Sequence, residues 1–171
     1  QRVWYRDKIC VISGASSGLG KEMALEIGRQ GGRVALLARR KDLIDQCADQ
    51  LKDIGAQAIA IKVDVSDCEA AEAAVRQVHE HWGRIDVAIA NAGVAVTGRP
   101  SRLSKQDAEL VVGVNLLGAI WVLRPALEIM LEQGSGHLAG ISCLSAFVGL
   151  PQNAIYSASK AALNNFLQAV R

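Results

Sequence analysis

Short, continuously apolar runs recur along the chain and alternate with longer amphipathic stretches. The runs span residues 9–12, 33–38, 58–63, 87–90 and 137–141. Runs this short and this apolar are typical of parallel strands that are buried on both faces. The pattern therefore predicts five strands of a parallel sheet.

The amphipathic stretches between the runs predict helices, and several carry helix boundary signals. The predicted helices span residues 19–30, 41–54, 66–81, 104–133 and 153–171. Gly31-Gly32 and Gly55 are stop signals, and Ser66-Asp67-Cys68-Glu69 and Ser104-Lys105-Gln106-Asp107 are candidate caps. Alternation of strand and helix predicts an α/β fold, a Rossmann-type doubly wound parallel sheet with at least five strands and helices on both faces.

The length of 171 residues predicts one domain over 1–171. The last predicted helix reaches Arg171 without a cap, glycine or proline. We therefore expect either a truncated chain, from which C-terminal strands of the complete fold are missing, or a disordered remainder after Arg171.

Charge and composition exclude several partners. The formal net charge of +2 is too small to indicate nucleic acid binding. No apolar run reaches eighteen residues, so we expect no membrane span, and residues 1–8 lack the apolar segment of a signal peptide. The four cysteines are scattered without metal-ligand spacing, which predicts no metal site and a cytoplasmic protein with reduced thiols.

A glycine-rich loop follows the first strand and opens the first helix. Its candidate phosphate-binding residues are Gly14, Ser16, Ser17, Gly18, Leu19 and Gly20. Glycines let a phosphate approach the main chain, and the helix N-terminus presents free N–H groups to it. The alternative is a plain strand–helix turn, but the strand before and the helix after favour a dinucleotide site.

The G-x-x-x-G-x-G spacing of this loop resembles that of the short-chain dehydrogenase/reductases. The resemblance continues through Asn91-Ala92-Gly93, Asn115 and Tyr156-Ser157-Ala158-Ser159-Lys160, in order and approximate spacing. It implies a nicotinamide cofactor contacted by Asn91, Ala92 and Gly93. It also implies that Asp64 and Val65 lie against the adenine ring, although Asp64 could instead be a helix-entry residue.

The end of the second strand bears on the choice of cofactor. Dinucleotide folds that bind NAD carry an acidic residue there, whereas an arginine accommodates the 2′-phosphate of NADP. This chain has Ala38 followed by Arg39. A solvated basic turn is the alternative, but the position favours NADP(H). Arg40 and Lys41 either contribute to the same site or, as we favour, face solvent.

Tyr156 and Lys160 are four residues apart on a predicted helix and therefore share a face. A free tyrosine has a pKa near ~10, and a nearby ammonium lowers it, so that the phenol can act as general acid or base. The resemblance gives Lys160 a contact to the nicotinamide ribose and makes Asn115 the holder of a water in a proton relay. An exposed helix pair is the alternative for Tyr156 and Lys160.

Cys143 departs from the family pattern, because a serine usually stands thirteen residues before the tyrosine and polarises the substrate carbonyl. A thiol is a weaker donor than a hydroxyl. Strand alternation directs Ser142 to the other face, and Ser145 is the remaining nearby hydroxyl.

The sequence thus predicts an NADP-dependent oxidoreductase that reduces a small-molecule carbonyl or oxidises a secondary alcohol. The alternative is a catalytically weak NADP-binding sensor or scaffold on the same fold, which Cys143 slightly favours. We also expect a homodimer or homotetramer, since the last two helices carry broad apolar faces. These faces include Leu110, Val114, Ile120, Leu163 and Phe166.

Overall fold

The computed structural model describes residues 4–170, and its centre is one parallel sheet of five strands. The order across the sheet is β3-β2-β1-β4-β5, with every neighbouring pair parallel. The strands are β1 (Ile9–Ser13), β2 (Arg33–Ala38), β3 (Ala58–Lys62), β4 (Val87–Ala90) and β5 (His137–Gly140). All five apolar runs are therefore strands, with ends within one residue of the prediction.

Helices connect the strands and cover both faces of the sheet. They are α1 (Gly18–Arg29), α2 (Lys41–Asp53), α3 (Cys68–Trp82), α4 (Lys105–Val112), α5 (Gly118–Gln133) and α6 (Ala154–Ala169). Two short 3₁₀ turns, Pro100–Arg102 and Leu144–Ala146, are additions that the pattern did not predict. The predicted extension of the last helix to Arg171, like part of the expectation for residues 1–8, lies outside the described residues.

The apolar side chains of β1 divide between two cores. Ile9 and Val11 belong to the core under α3 and α5, whereas Cys10 and Ile12 belong to the core under α1 and α2. Because successive side chains of a strand point to opposite faces, a continuously apolar strand supplies both cores. This confirms the doubly wound sheet with helices on both faces.

The start of α3 differs from the predicted capping box. Asp67, not Ser66, is the N-cap, and its carboxylate accepts a hydrogen bond from the Ala70 amide at 3.0 Å. The Ser66 hydroxyl instead donates to the Asp64 carboxylate at 2.8 Å. Both residues are acceptable N-caps, so residue preference alone could not separate them. At α4 the predicted cap is correct, and Ser104 and Asp107 form a reciprocal capping box.

The long helix predicted over 104–133 is interrupted. A π-helical turn, Gly113–Leu117, separates α4 from α5. The stretch Lys105–Gln133 is long and apolar enough to cross a membrane, the one such helix in the described part of the chain, but half of its most apolar window is buried inside the fold. Its α5 portion packs on α3 and β4, which is the packing of a core helix.

Two residues assigned to an apolar outer face are buried instead. Val114 and Leu163 belong to the core between the sheet and its helices. Leu110 and Leu117 remain exposed, at 45% and 39% of their surface. The apolar surface left exposed for a contact between subunits is therefore narrower than predicted, because some of the apolar side chains of these helices pack against the sheet.

Candidate functional site

The glycine loop lies at the carboxyl end of β1, where the strand order changes direction between β1 and β4. A β-carbon on Gly14, whose φ is +69°, would lie 2.7 Å from the Ala92 Cα. A β-carbon on Gly20 would lie 2.5 Å from the side-chain amide nitrogen of Asn91. These two glycines are thus required by the packing of the loop against the segment after β4.

Hydrogen bonds join the loop to that segment. The Asn91 side-chain amide donates to the carbonyl oxygens of Ser13 and Gly14 at 3.0 and 3.2 Å. The Ser13 hydroxyl accepts from the backbone amides of Asn91 and Ala92. Ser13 was not among the predicted site residues, because its role depends on a strand 78 residues away. The structure therefore brings the first two predicted motifs together.

The N-terminus of α1 is open to an anion. Ser17 is the N-cap, its side chain makes no capping hydrogen bond, and the first turn contains no acidic residue. The amides of this turn and the positive end of the helix dipole are therefore available to a phosphate.

A cavity of about 270 Å³ extends from this loop across the carboxyl ends of the strands. It is lined by predicted residues from the loop, from the ends of β2 and β3 and from the segment after β4. These are Gly14, Ser16, Ser17, Arg39, Asp64, Val65, Asn91, Ala92 and Gly93. The first turn of α1 contains the other three predicted loop residues, Gly18, Leu19 and Gly20, which do not line the cavity.

The two arginines after β2 make different contacts. Arg39 lies 3.7 Å from the Asp64 carboxylate, with both side chains largely exposed. Arg40, interpreted from the sequence as solvent-facing, donates to the hydroxyls of Ser16 at 2.8 Å and Ser17 at 2.6 Å. Arg40 is exposed, as expected, and it also contacts the glycine loop, because the loop folds back toward the end of β2. The site thus holds two guanidinium groups.

The Asp64 carboxylate is held by neighbouring side chains, Ser66 and Arg39. Partial burial raises the pKa of Asp64, but hydrogen bonds from Ser66 and the charge of Arg39 outweigh this effect and lower the pKa below its ordinary value. Asp64 is therefore an anion near neutral pH, and it balances one of the two arginines.

Asn115 lies in the π-helical turn and is 1% exposed. Its carbonyl oxygen accepts from the Val94 amide at 2.8 Å, and its amide donates to the Val94 carbonyl at 2.9 Å and to the Ser159 hydroxyl at 3.1 Å. The buried carboxamide is therefore hydrogen-bonded at both its oxygen and its nitrogen, as a buried polar group requires. It connects the segment after β4 to the helix that carries Tyr156 and Lys160.

Tyr156 and Lys160 lie on one face of α6, with the lysine Nζ 5.9 Å from the centre of the tyrosine ring. Lys160 is buried and donates to the Ile141 carbonyl at 2.6 Å. Burial lowers the pKa of Lys160, and burial followed by the influence of Cys143 raises the pKa of Tyr156. The expectation that Lys160 lowers the tyrosine pKa is thus wrong for this structure, because desolvation dominates.

Cys143 follows β5 and is half-buried. Ser145 lowers the pKa of the Cys143 thiol through its hydroxyl and its backbone amide, and the Tyr156 hydroxyl contributes in the same direction. Both hydroxyl groups thus influence the thiol, although Ser145 Oγ makes no hydrogen bond within the described residues. The strand ends at Gly140, so strand alternation does not govern the direction of Ser142.

Gly93 is the point at which the cavity meets the residues predicted to be catalytic. A β-carbon there would lie 3.5 Å from the Asn115 oxygen and 3.6 Å from the Lys160 nitrogen. A parallel sheet with a glycine loop at its switch point and this cavity defines a Rossmann-type dinucleotide-binding domain.

Comparison with known proteins gives the family. The sequence matches the short chain dehydrogenase family over residues 8–171. An uncharacterized oxidoreductase of Myxococcus xanthus (strain DK1622) is 35% identical over 164 residues, which are 96% of this chain and 65% of that relative. The chain therefore belongs to the short-chain dehydrogenase family, and it spans about two thirds of the length of that relative.

Solved structures agree in fold. A short chain dehydrogenase/reductase from Burkholderia phymatum in complex with NAD has a TM-score of 0.94 and 28% identity, covering 97% of this chain and 59% of its own. An alcohol dehydrogenase from the archaeon Thermococcus sibiricus, complexed with 5-hydroxy-NADP, has a TM-score of 0.90 and 32% identity, with 96% and 70% covered. Both cofactor types thus occur among similar structures.

Proposed function

We propose that the protein is an NADP(H)-dependent oxidoreductase that reduces a carbonyl or oxidises a secondary alcohol, with Tyr156 as general acid/base. The observation that carries this proposal is the position of Gly93. It lines the dinucleotide cavity and is also adjacent to Asn115 and Lys160. A cofactor in the cavity would therefore extend toward the tyrosine and lysine.

The residues of the cavity fit a dinucleotide with a 2′-phosphate. The open N-terminus of α1, together with Ser16 and Ser17, would hold the pyrophosphate. Arg39 would hold the 2′-phosphate, since a guanidinium binds phosphate with paired N–H donors. Ala38 at the end of β2 supports this choice, because it places no carboxylate there to repel the phosphate. Asp64 and Val65 would flank the adenine.

Each catalytic side chain has a distinct role in the proposed reaction. When bound, the nicotinamide would donate or accept a hydride. The Tyr156 hydroxyl would give a proton to the substrate oxygen during reduction, while the Cys143 thiol donates a hydrogen bond to the same oxygen. Lys160 would bind the nicotinamide ribose, and Asn115 would hold the water that returns a proton toward Lys160.

The pKa of Tyr156 bears on how each direction of the proposed reaction depends on pH. The ordinary tyrosine pKa near ~10 already makes the neutral phenol the dominant form at neutral pH, and burial raises this pKa further. The neutral phenol is the form that donates a proton in carbonyl reduction. Alcohol oxidation requires the phenolate and would become faster as pH rises.

Partners and location follow as parts of the same proposal. The substrate is a small molecule, and the protein forms a homodimer or homotetramer. We also propose a cytoplasmic location, for which the four free cysteines of the described residues are the support.

The test is turnover of NADPH with a panel of reactive ketones, using the full-length protein. Tyr156→Phe should abolish measurable turnover and leave NADPH affinity unchanged, because only the proton donor is removed. Tyr5→Phe is the matched control, since it removes the chain's other phenolic hydroxyl at the opposite ends of the strands, and it should retain activity.

Two outcomes would contradict the proposal. Unchanged turnover in Tyr156→Phe would show that the tyrosine is not the acid. Tight NADPH binding without turnover of any ketone in the wild type would favour the alternative, a binding protein with weak or no catalysis.

A further inference from the structure

A second cavity, of about 450 Å³, is lined by residues that the proposed function does not use. Its lining consists of Val96, Thr97, Gly98, Arg99, Arg102, Leu103 and Asp107. The dinucleotide cavity is lined by residues 91–94 of the same segment after β4. The two cavities therefore follow one another along a single stretch of chain, and the second begins where the first ends.

Two guanidinium groups line this second cavity without a carboxylate partner. The 3₁₀ turn Pro100–Arg102 begins directly after Arg99, and the Arg102 amide donates to the Arg99 carbonyl at 2.9 Å. Positions three apart in such a turn lie on the same side of it. Within residues 4–170 neither arginine forms an ion pair with a carboxylate. Two like charges held on one side of a turn repel each other, and an anion bound between them removes the repulsion.

Asp107 also lines the cavity, but its carboxylate is engaged elsewhere. It accepts hydrogen bonds from the Ser104 amide at 3.0 Å and from the Ser104 hydroxyl at 2.7 Å, as part of the capping box of α4. These hydrogen bonds lower the pKa of Asp107, so it is an anion near neutral pH. The charged groups of the lining are therefore two guanidiniums and one carboxylate, which leaves a net positive charge.

Contacts with the start of α6 hold the arginines beside the turn of helix that carries Tyr156. The Gly98 amide donates to the Gln152 carbonyl at 2.9 Å, and the Thr97 hydroxyl donates to the Asn153 side-chain oxygen at 3.4 Å. Gln152 has a φ of +64°, which is uncommon outside glycine and persists where surrounding contacts require it. Asn153 is the N-cap of α6, and Tyr156 lies in the first turn that follows.

We infer that the substrate is a ketone or alcohol that bears an oxyanion, and that Arg99 and Arg102 bind its carboxylate or phosphate group while the reacting oxygen lies at Tyr156. This inference rests on the proposed function and names the class of its substrate. A guanidinium presents paired N–H donors that match two oxygens of a carboxylate or phosphate. The two arginines therefore select and position the substrate, and they take no part in proton or hydride transfer.

The experiment compares two sets of ketones as substrates of the full-length protein with NADPH. One set is levulinate and its longer homologues, and the other is the methyl ester of each, which keeps the carbon chain and the carbonyl but carries no charge. The wild type should have a kcat/KM about tenfold higher for the best keto acid than for its ester, the low end for hydrogen bonds to a charged group because the cavity is open to solvent. Most of the difference should lie in KM, since the anion is bound equally before and during the reaction. The corresponding keto phosphates form a further arm, and the faster arm identifies the oxyanion.

Substitution of the arginines should remove this preference. Arg99→Gln and Arg102→Gln should each lower kcat/KM for the keto acid by about tenfold, toward the value for the ester, because the charge is lost while a polar side chain remains. Lys105→Gln is the matched control, since it removes one positive charge from a nearby exposed side chain that pairs with Glu109 on α4. It should retain the preference for the keto acid.

A second measurement does not depend on turnover. Titration calorimetry of the keto acid and of its ester into the protein with NADP⁺, where no reduction can occur, gives the two dissociation constants. The keto acid should bind about tenfold more tightly than the ester to the wild type and to Lys105→Gln, and this difference should be lost in both arginine variants.

The outcomes separate this inference from the proposed function. Equal kcat/KM for acids, phosphates and esters in the wild type would overturn the inference and leave the proposed oxidoreductase activity standing. Equal losses for acid and ester in the arginine variants would also overturn it, because an effect on the fold does not discriminate by charge. If the wild type reduces no ketone but calorimetry shows a preference for the acid that both arginine variants lose, the proposed function fails while the anion site stands.

Discussion

Arg39 and Arg40 are adjacent in sequence, yet their side chains bind different parts of the site. Arg39 faces Asp64 across the mouth of the cavity, and Arg40 binds the two serine hydroxyls of the glycine loop. The first contact lies where a 2′-phosphate would be bound, and the second lies where the pyrophosphate common to both dinucleotides would be bound.

This difference predicts separate effects on cofactor affinity. The wild type should bind NADPH more tightly than NADH, and Arg39→Ala should weaken NADPH binding by about 10- to 100-fold, the range of a hydrogen bond to a charged group. The affinity for NADH should change little. Titration of the intrinsic tryptophan fluorescence with each dinucleotide measures both constants.

Arg40→Ala should instead weaken both dinucleotides alike, because it loosens the loop and not the 2′-phosphate site. Lys41→Ala is the matched control, since Lys41 pairs with Asp45 on the surface of α2. Equal affinities of the wild type for NADPH and NADH would contradict the assignment of Arg39.

At the scale of the elements, helix boundaries depend on single side chains that compete for the same position. Ser66 and Asp67 are both suitable N-caps, and the structure assigns the position to Asp67 because Ser66 is engaged by Asp64. Similarly, the long apolar pattern over residues 105–133 predicts a continuous helix. Within the π-helical turn only Asn115 is polar and could have indicated an interruption. Its hydrogen-bond partners, Val94 and Ser159, are distant in sequence.

The capping assignment predicts a difference between two adjacent alanine substitutions. Asp67→Ala should lower the free energy of unfolding by about 1 kcal/mol, because the Ala70 amide loses its acceptor. Ser66→Ala should change it by less than about 0.5 kcal/mol, as is usual for an exposed position. Urea denaturation followed by circular dichroism gives both values, and a reversed order would assign the cap to Ser66.

At the scale of the whole molecule, the exposed apolar residues of the long helix bear on assembly. Leu117 in the π-helical turn and Leu131 in α5 are 39% and 72% exposed, and Leu110 in α4 is 45% exposed. Exposed apolar residues grouped on one element are typical of a contact between subunits.

We therefore expect the full-length protein to be a dimer or tetramer in which this helix pairs across a two-fold axis. Light scattering at micromolar concentration should give a multiple of the subunit mass, and Leu117→Glu should shift it toward the monomer by burying a charge. Ile54→Glu, an exposed apolar position at the end of α2, should leave the mass unchanged. A monomeric wild type would contradict the prediction.

The sequence by itself determined the sheet and the positions of its connecting helices. Strands buried on both faces must be apolar at nearly every position, and that requirement is local, so it can be read directly from the chain. The glycine loop and the pair Tyr156 and Lys160 were readable for the same reason, because their spacing is set by a turn and by one helical repeat.

Only the tertiary structure decided the contacts that join distant segments. Ser13 with Asn91, Arg40 with Ser16 and Ser17, and Asn115 with Val94 and Ser159 each depend on how separate elements pack. The direction of the Tyr156 pKa was decided in the same way. Spacing showed that a lysine is near the phenol, but burial and then Cys143 raise the tyrosine pKa, and burial is a property of the folded molecule.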